Sequence, residues 1–146
     1  MISVQNAQDK ISINKKQIAK KASRVLKSLK KQNCDLSIIL VDNNQIKRLN
    51  KEYLNKKHST DVLAFSMKEG KALRGDEKLL GDIAICVEKA RMVARATNIS
   101  LEKEIDLYLV HGILHLLGYR DKTEKERASL FKKQEKLTGL LWKEEV

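Results

Sequence analysis

Two histidines four residues apart in an apolar run, His111-Gly-Ile-Leu-His115, followed by Leu-Leu-Gly118-Tyr119-Arg120-Asp121, are the residues of this 146-residue chain best placed to do chemistry. At that spacing on a helix, side chains lie one above the other on the same face, so both imidazoles can aim at one point. Gly118 is placed to end the helix in the left-handed conformation that costs glycine nothing, and the reversed chain can bring Asp121 back beside the pair. Two imidazoles and a carboxylate with a coordination position left open suit one Zn²⁺ ion per chain, catalytic rather than structural. Such an ion lowers the pKa of its water toward neutrality and polarises a carbonyl or phosphoryl oxygen, so the chemistry to expect is hydrolysis.

A single histidine on an apolar helix is more often a hydrogen-bonded core residue than a ligand. Burying two without a shared role would cost each an unsatisfied nitrogen, which favours the metal reading. Which bond is cut depends on what is missing. Zinc proteases carry H-E-x-x-H, whose glutamate takes the proton from the attacking water; here that position is Gly112. Thirty Lys and Arg against nineteen Asp and Glu give a net charge of +11, which favours a polyanionic partner with nucleic acid as the leading candidate. No aromatic-rich strand is present, which argues against a base-stacking sheet. A phosphodiester is the expected target.

Several elements must position these groups. The histidine helix, Leu101–Leu117, is capped by Ser100 and apolar around most of its circumference after Asp106, so it is predicted to run through the middle of the protein. Upstream, the chain reads as a strand at Ile2–Gln5 and a helix from Asn14 that buries Ile18, Ala22, Val25, Leu26 and Leu29. A strand at Cys34–Val41 follows, then a helix to about Leu54 opened by an Asp42/Gln45 capping box. The outer face of the first helix is assigned Lys15, Lys16, Lys20, Lys21, Lys27, Lys30 and Lys31, a solvated surface that can also hold a phosphate backbone. Next come a strand at Val62–Phe65, an exposed hairpin loop at Lys68–Lys78, a strand at Gly81–Val87 and a basic helix at Glu88–Asn98. A second capping box, Thr123/Glu126, starts a last helix running to about Leu137.

The expected fold class is α+β: a small mixed four-stranded sheet packed against about five helices, with the metal site on a central buried helix, in one domain spanning residues 1–146. The helix between the second and third strands is long enough for a crossover, whereas the third and fourth strands, joined by a loop, should be antiparallel. Cys34 and Cys86 lack C-x-x-C spacing and read as buried thiols in a reducing cytoplasm. The start of the chain lacks the basic and apolar regions of a signal peptide, and no apolar run approaches the ~20 residues of a membrane span, which predicts a soluble cytoplasmic protein.

The stretch from His111 to Tyr119 closely resembles the signature of the YbeY family of bacterial endoribonucleases, written H-G-x-L-H-L-x-G-Y-D-H. The resemblance extends through Leu49-Asn50, Thr60–Phe65, Leu80–Ile83 and Gln134-Glu135, in the family's order and spacing. It implies an α+β domain with one zinc held by three histidines. It also implies a single-strand-specific, metal-dependent endoribonuclease acting in maturation of the small-subunit ribosomal RNA 3′ end and in ribosome quality control. The implied partners are single-stranded RNA, ribosomal RNA and the small ribosomal subunit or its proteins. His111 and His115 carry over as the first two ligands.

Two positions depart from the family pattern. Asp121 stands where the family has its third histidine, preceded by Arg120 where the family has aspartate. Aspartate is a competent zinc ligand, though its charge leaves the bound water less acidic than in a three-histidine site. Leu54 stands where the family has an arginine suited to the scissile phosphate, and Lys56, Lys57 and Arg120 are the candidates to replace it. Asp61 and Asp82 are read as caps of a turn or strand end, His58 as an exposed loop residue and Tyr119 as packing on the ligand helix. The rival reading is a non-catalytic RNA- or ribosomal-protein-binding assembly factor with a structural or degenerate metal site. A metallopeptidase ranks third, because it needs a carboxylate base from elsewhere, such as Glu124 or Glu126.

Overall fold

A computed structural model describes residues 1–54, 61–66 and 79–143. The chain runs β1 (Ile2–Asn6), α1 (Lys15–Ser28), β2 (Asp35–Val41), α2 (Asn43–Leu54), β3 (Val62–Ser66) and β4 (Leu79–Cys86), then α3 (Val87–Thr97), α4 (Leu101–Leu116) and α5 (Glu124–Lys143). These are the expected elements in the expected order, and the class is α+β. Lys56, Lys57, His58 and the expected hairpin loop at Lys68–Lys78 lie outside the described residues.

Local chemistry sets the helix starts. Asn14 Oδ1 accepts from the Gln17 amide at 3.2 Å to open α1, and Ser100 Oγ accepts from the Lys103 amide at 3.1 Å to open α4. Both capping boxes close reciprocally: Asp42 with Gln45 through two 2.8 Å bonds, and Thr123 with Glu126 at 2.9 and 3.0 Å. Asn98, in the left-handed conformation at φ 58°, terminates α3.

The sheet order is β1-β2-β4-β3, with β1/β2 and β2/β4 parallel and β3/β4 antiparallel. The third strand therefore does not lie beside the second; β4 sits between them. Composition explains this. In β4, Leu80, Ile83, Ala84, Ile85 and Cys86 are all buried, and a strand apolar on both faces must be central, whereas the five-residue β3 can serve as an edge.

The period of two divides the core. Ile2, Val4, Leu36, Ile38, Leu40, Val62, Ala64, Ile83 and Ile85 belong to the main core with side chains of α1, α4 and α5. Val41, Leu63, Phe65, Ala84 and Cys86 form a smaller cluster with Ile46 and Leu49 of α2. Helix α4 touches α1, α3, α5, β3 and β4, as its nearly continuous apolar surface requires. Leu109, Ile113 and Leu114 are fully buried in it, each contributing roughly 1.5–3 kcal/mol of burial.

Two expectations need correction. Lys21 is not on the solvated face of α1: its Nζ lies 3.0 Å from Asp106 Oδ2 on α4, with the two side chains 9% and 3% exposed. Trp142 Nε1–H donates to the same oxygen at 3.0 Å. The second correction follows from that bond, because α5 continues to Lys143 rather than ending near Leu137. Its final turns bury Leu137, Thr138 and Leu141 and carry Trp142 to Asp106.

Candidate metal centre

The site is built at the C-terminal end of α4. His111 and His115 are half-buried, and His111 meets Gln134 of α5. His115 occupies the last turn, where the unsatisfied carbonyls of the helix favour a nearby cation. The two imidazoles meet edge to face, with centroids 4.4 Å apart and Nε2 atoms 2.9 Å apart.

What turns the chain back is a helix-ending motif with both of its hydrogen bonds. The Tyr119 amide donates to the Leu114 carbonyl and the Gly118 amide to the His115 carbonyl, each at 3.0 Å, with Gly118 at φ +100°. A Cβ on Gly118 would meet nothing within 4 Å, so the glycine is there for its backbone and not for space. Tyr119 packs on the main core, as expected. Asp121 returns to the histidines, its Oδ2 3.6 Å from His115 Nε2. Arg127 Nη1 donates to the Asp121 and Lys122 carbonyls at 3.2 Å each, holding this loop to the first turns of α5.

One ligand atom from each of His111, His115 and Asp121 lies within 4.8 Å of the others, so this group can hold a metal ion. A hydrogen bond that sequence reasoning left unassigned tests the fit. His111 Nδ1 is 2.9 Å from Gln134 Oε1 on α5, and an amide oxygen can only accept. The proton of His111 is therefore on Nδ1, and the Nε2 lone pair faces the space shared with His115. Burial pushes the His115 imidazole below its ordinary pKa, and neighbouring His111 pushes it the same way; Asp121 and the Tyr119 backbone oppose them. A neutral ring is the form that binds metal. The Nε2 separation is compatible with a shared ion at the ~2.0–2.1 Å bond length of zinc to imidazole.

The other predicted positions behave differently. Arg120 lies in the same loop, with Nε 3.7 Å from Glu126 Oε2. Asp61 accepts from the Val62 amide at 2.8 Å, the turn-capping role expected of it. Asp82 is not a strand-end cap: it lies inside β4, opposite Phe65 and Ser37, with its side chain exposed. Leu54 is the last residue of α2 and is exposed, next to Tyr53, whose ring meets Phe65 edge-on at 5.4 Å. Gly112, where a zinc protease has its glutamate, is buried against β4; a Cβ there would come within 3.0 to 3.3 Å of Ile83 side-chain atoms. Gln134 went unassigned because it is 23 residues from His111 in sequence and only the packing of α5 on α4 joins them. Its place beside Glu135 in the family pattern was the one available signal.

Residues 3–141 match the profile of the family described as endoribonuclease YbeY. The chain belongs to the YbeY family. Proteins named endoribonuclease YbeY include one from Syntrophus aciditrophicus, 33% identical, covering 96% of this chain and 89% of that protein. The YbeY protein of Caldicellulosiruptor bescii is 38% identical, with 93% and 94% covered, and that of Carboxydothermus hydrogenoformans 36%, with 97% of each covered. The solution structure of TM1509 from Thermotoga maritima superposes with a TM-score of 0.69 at 30% identity, covering 99% of this chain and 91% of that one. No helix among the described residues is long and apolar enough to cross a membrane.

Proposed function

We propose that residues 1–146 form one zinc-dependent endoribonuclease domain that cleaves single-stranded RNA. Its setting would be maturation of the small-subunit ribosomal RNA 3′ end and ribosome quality control in the cytoplasm. The observation that carries this reading is the convergence of His111 Nε2, His115 Nε2 and the Asp121 carboxylate in a chain of the YbeY family. Two imidazoles and a carboxylate suit zinc, and a divalent cation held there supplies an acidified water and polarises a phosphoryl oxygen.

The chain's own residues prepare that chemistry. Gln134 keeps the His111 proton on Nδ1, burial favours the neutral ring of His115, and the Gly118 turn sets the distance of Asp121 from both. Exposed Asp121, at 52%, leaves one side of the site open to a substrate as large as a nucleic acid strand. A net charge of +11 attracts the phosphate backbone, and contact through phosphates carries little base preference. Lys56, Lys57 and Arg120 are proposed to replace the phosphate-binding arginine missing at Leu54.

Peptide hydrolysis is disfavoured by Gly112. A glutamate at that position would be driven into Ile83 of β4 rather than toward the two rings.

The test is metal analysis of purified protein combined with cleavage of an unstructured RNA by parent and His115→Ala. The reading expects about one zinc per parent chain, cleavage by the parent, and loss of both in the variant. Equal cleavage by the two proteins would remove it. Tight RNA binding with no cleavage by either would favour a non-catalytic assembly factor.

A further inference from the structure

The outer face of α1 carries a row of cations that the metal centre does not use. Within Lys15–Ser28 there are five lysines and one arginine and no acidic residue. The structure withdraws Lys21 from this set, since it is buried against Asp106. Lys16, Lys20, Ser23 and Lys27 remain exposed at positions i, i+4, i+7 and i+11, which place them along one line spanning roughly 16 Å of the helix axis. Lys15 flanks the row, and Lys30 and Lys31 extend past its end. Among the described residues Lys16, Lys20 and Lys27 have no carboxylate partner, in contrast to Lys10, which lies 3.2 Å from Glu88.

Like charges along one helix face repel each other, so their natural complement is an extended polyanion. Lys16 and Lys20 are about 6 Å apart along the helix axis, comparable with the separation of successive phosphates along a nucleic acid strand, and Lys27 follows about 10 Å further on, with the exposed Ser23 hydroxyl between them as a further donor to phosphate. A membrane fits less well. None of the large exposed apolar side chains, Met1, Tyr53, Leu54, Met92, Ile99, Phe131 and Leu140, belongs to α1, so this face has nothing to insert between lipid chains.

The row is also separate from the histidines. Helix α1 meets the first half of α4, where Ile18 and Lys21 face Ile105 and Asp106, and the row is on the opposite side of α1. From Asp106 to His115 is about 14 Å along α4, to which the width of α1 must be added. A strand bound at both places has to run several nucleotides between them.

We propose that the outer face of α1 is a second RNA-binding surface that tethers the substrate by its backbone while the strand is cut at the histidine site. The tether rests on the RNA-cleaving reading above; the binding surface does not. Tethering raises the effective concentration of a long strand at the site without any new contact there.

The experiment compares the parent with the triple variant Lys16→Gln/Lys20→Gln/Lys27→Gln, changes on an exposed helix face between residues of similar helix propensity. Binding of an unstructured RNA of about 20 nucleotides is measured from low to moderate salt, and steady-state cleavage is measured on that RNA and on an oligonucleotide of about 5 nucleotides. Each lost phosphate contact removes roughly 0.7 from the salt slope for a single strand, so the triple variant should lose about 2. KM for the long RNA should rise about tenfold with kcat unchanged, and both constants for the short one should stay as in the parent. An unchanged slope and an unchanged ratio of long to short KM would overturn the proposal. Should the parent bind but not cleave, a reduced slope in the variant still supports the surface while the nuclease reading fails. Loss of binding to vesicles containing phosphatidylserine, with RNA binding intact, would overturn it in favour of a lipid surface.

Discussion

Gln134 offers the sharpest test of how this fold orients a histidine that could hold a metal ion. Its Oε1 sits 2.9 Å from His111 Nδ1, while His111 Nε2 sits 2.9 Å from His115 Nε2. Replacing Gln134 with Leu keeps the bulk and removes the acceptor. The His111 proton then has no reason to stay on Nδ1, and on Nε2 it would stand between the two ligand atoms. Losing an outer partner of a ligating histidine typically costs 10–100-fold in metal affinity, which is about 1.4–2.7 kcal/mol. Gln134→Glu keeps an acceptor at the same place and makes it stronger, so affinity should hold or improve. Zinc affinity by competition with a chromophoric chelator measures both variants, and nitrogen-15 chemical shifts of the ring report the tautomer in metal-free protein. If Gln134→Leu binds zinc within twofold of the parent and keeps its proton on Nδ1, the argument for Gln134 is wrong.

Other outcomes follow from the same geometry. Lys21→Met leaves Asp106 buried without its ammonium partner but still bonded to Trp142, so the loss in urea unfolding should fall near 3 kcal/mol, the low end for a broken buried pair; a loss below about 1 kcal/mol would contradict the burial argument. Gly112→Glu, which restores the protease pattern in sequence, should destabilise the fold by more than about 3 kcal/mol and yield no peptidase activity, because the new side chain meets Ile83. Glu88 is held below the usual carboxylate range first by the Asn43 amide, which donates to it at 2.9 Å, and then by Lys10. A lowered folded pKa stabilises the protein above the unfolded value of about 4.3, and that benefit is lost as pH falls through the folded pKa. Glu88→Gln should therefore cost about 1 kcal/mol or less at pH 7, and the gap between its stability and the parent's should close as pH falls through the lowered folded pKa of Glu88; a gap that persists in acid would count against this account.

The sequence by itself determined what local rules govern. Cap residues and their partners three positions on set the starts of α1, α2, α4 and α5, because those bonds close within one turn whatever the rest of the chain does. The alternation of Ile2–Gln5 and the continuous apolar surface of α4 likewise read out directly. The histidine pair was legible for the same reason: a spacing of four on a helix brings His111 and His115 together with no help from other elements, and Gly118 reverses the chain toward Asp121 at short range.

Only the tertiary structure decided the relations between distant elements. The place of β4 between β2 and β3 depended on which strand most needed cover on both faces. Lys21 looked like one more surface lysine until Asp106, 85 residues away, was packed against it. The end of α5 depended on Trp142 reaching that same carboxylate, and the role of Gln134 on the axial register of α5 against α4. Periodicity tells which face of a helix is buried but not what lies opposite, and it is the opposite partner that oriented an imidazole and made a lysine part of the core.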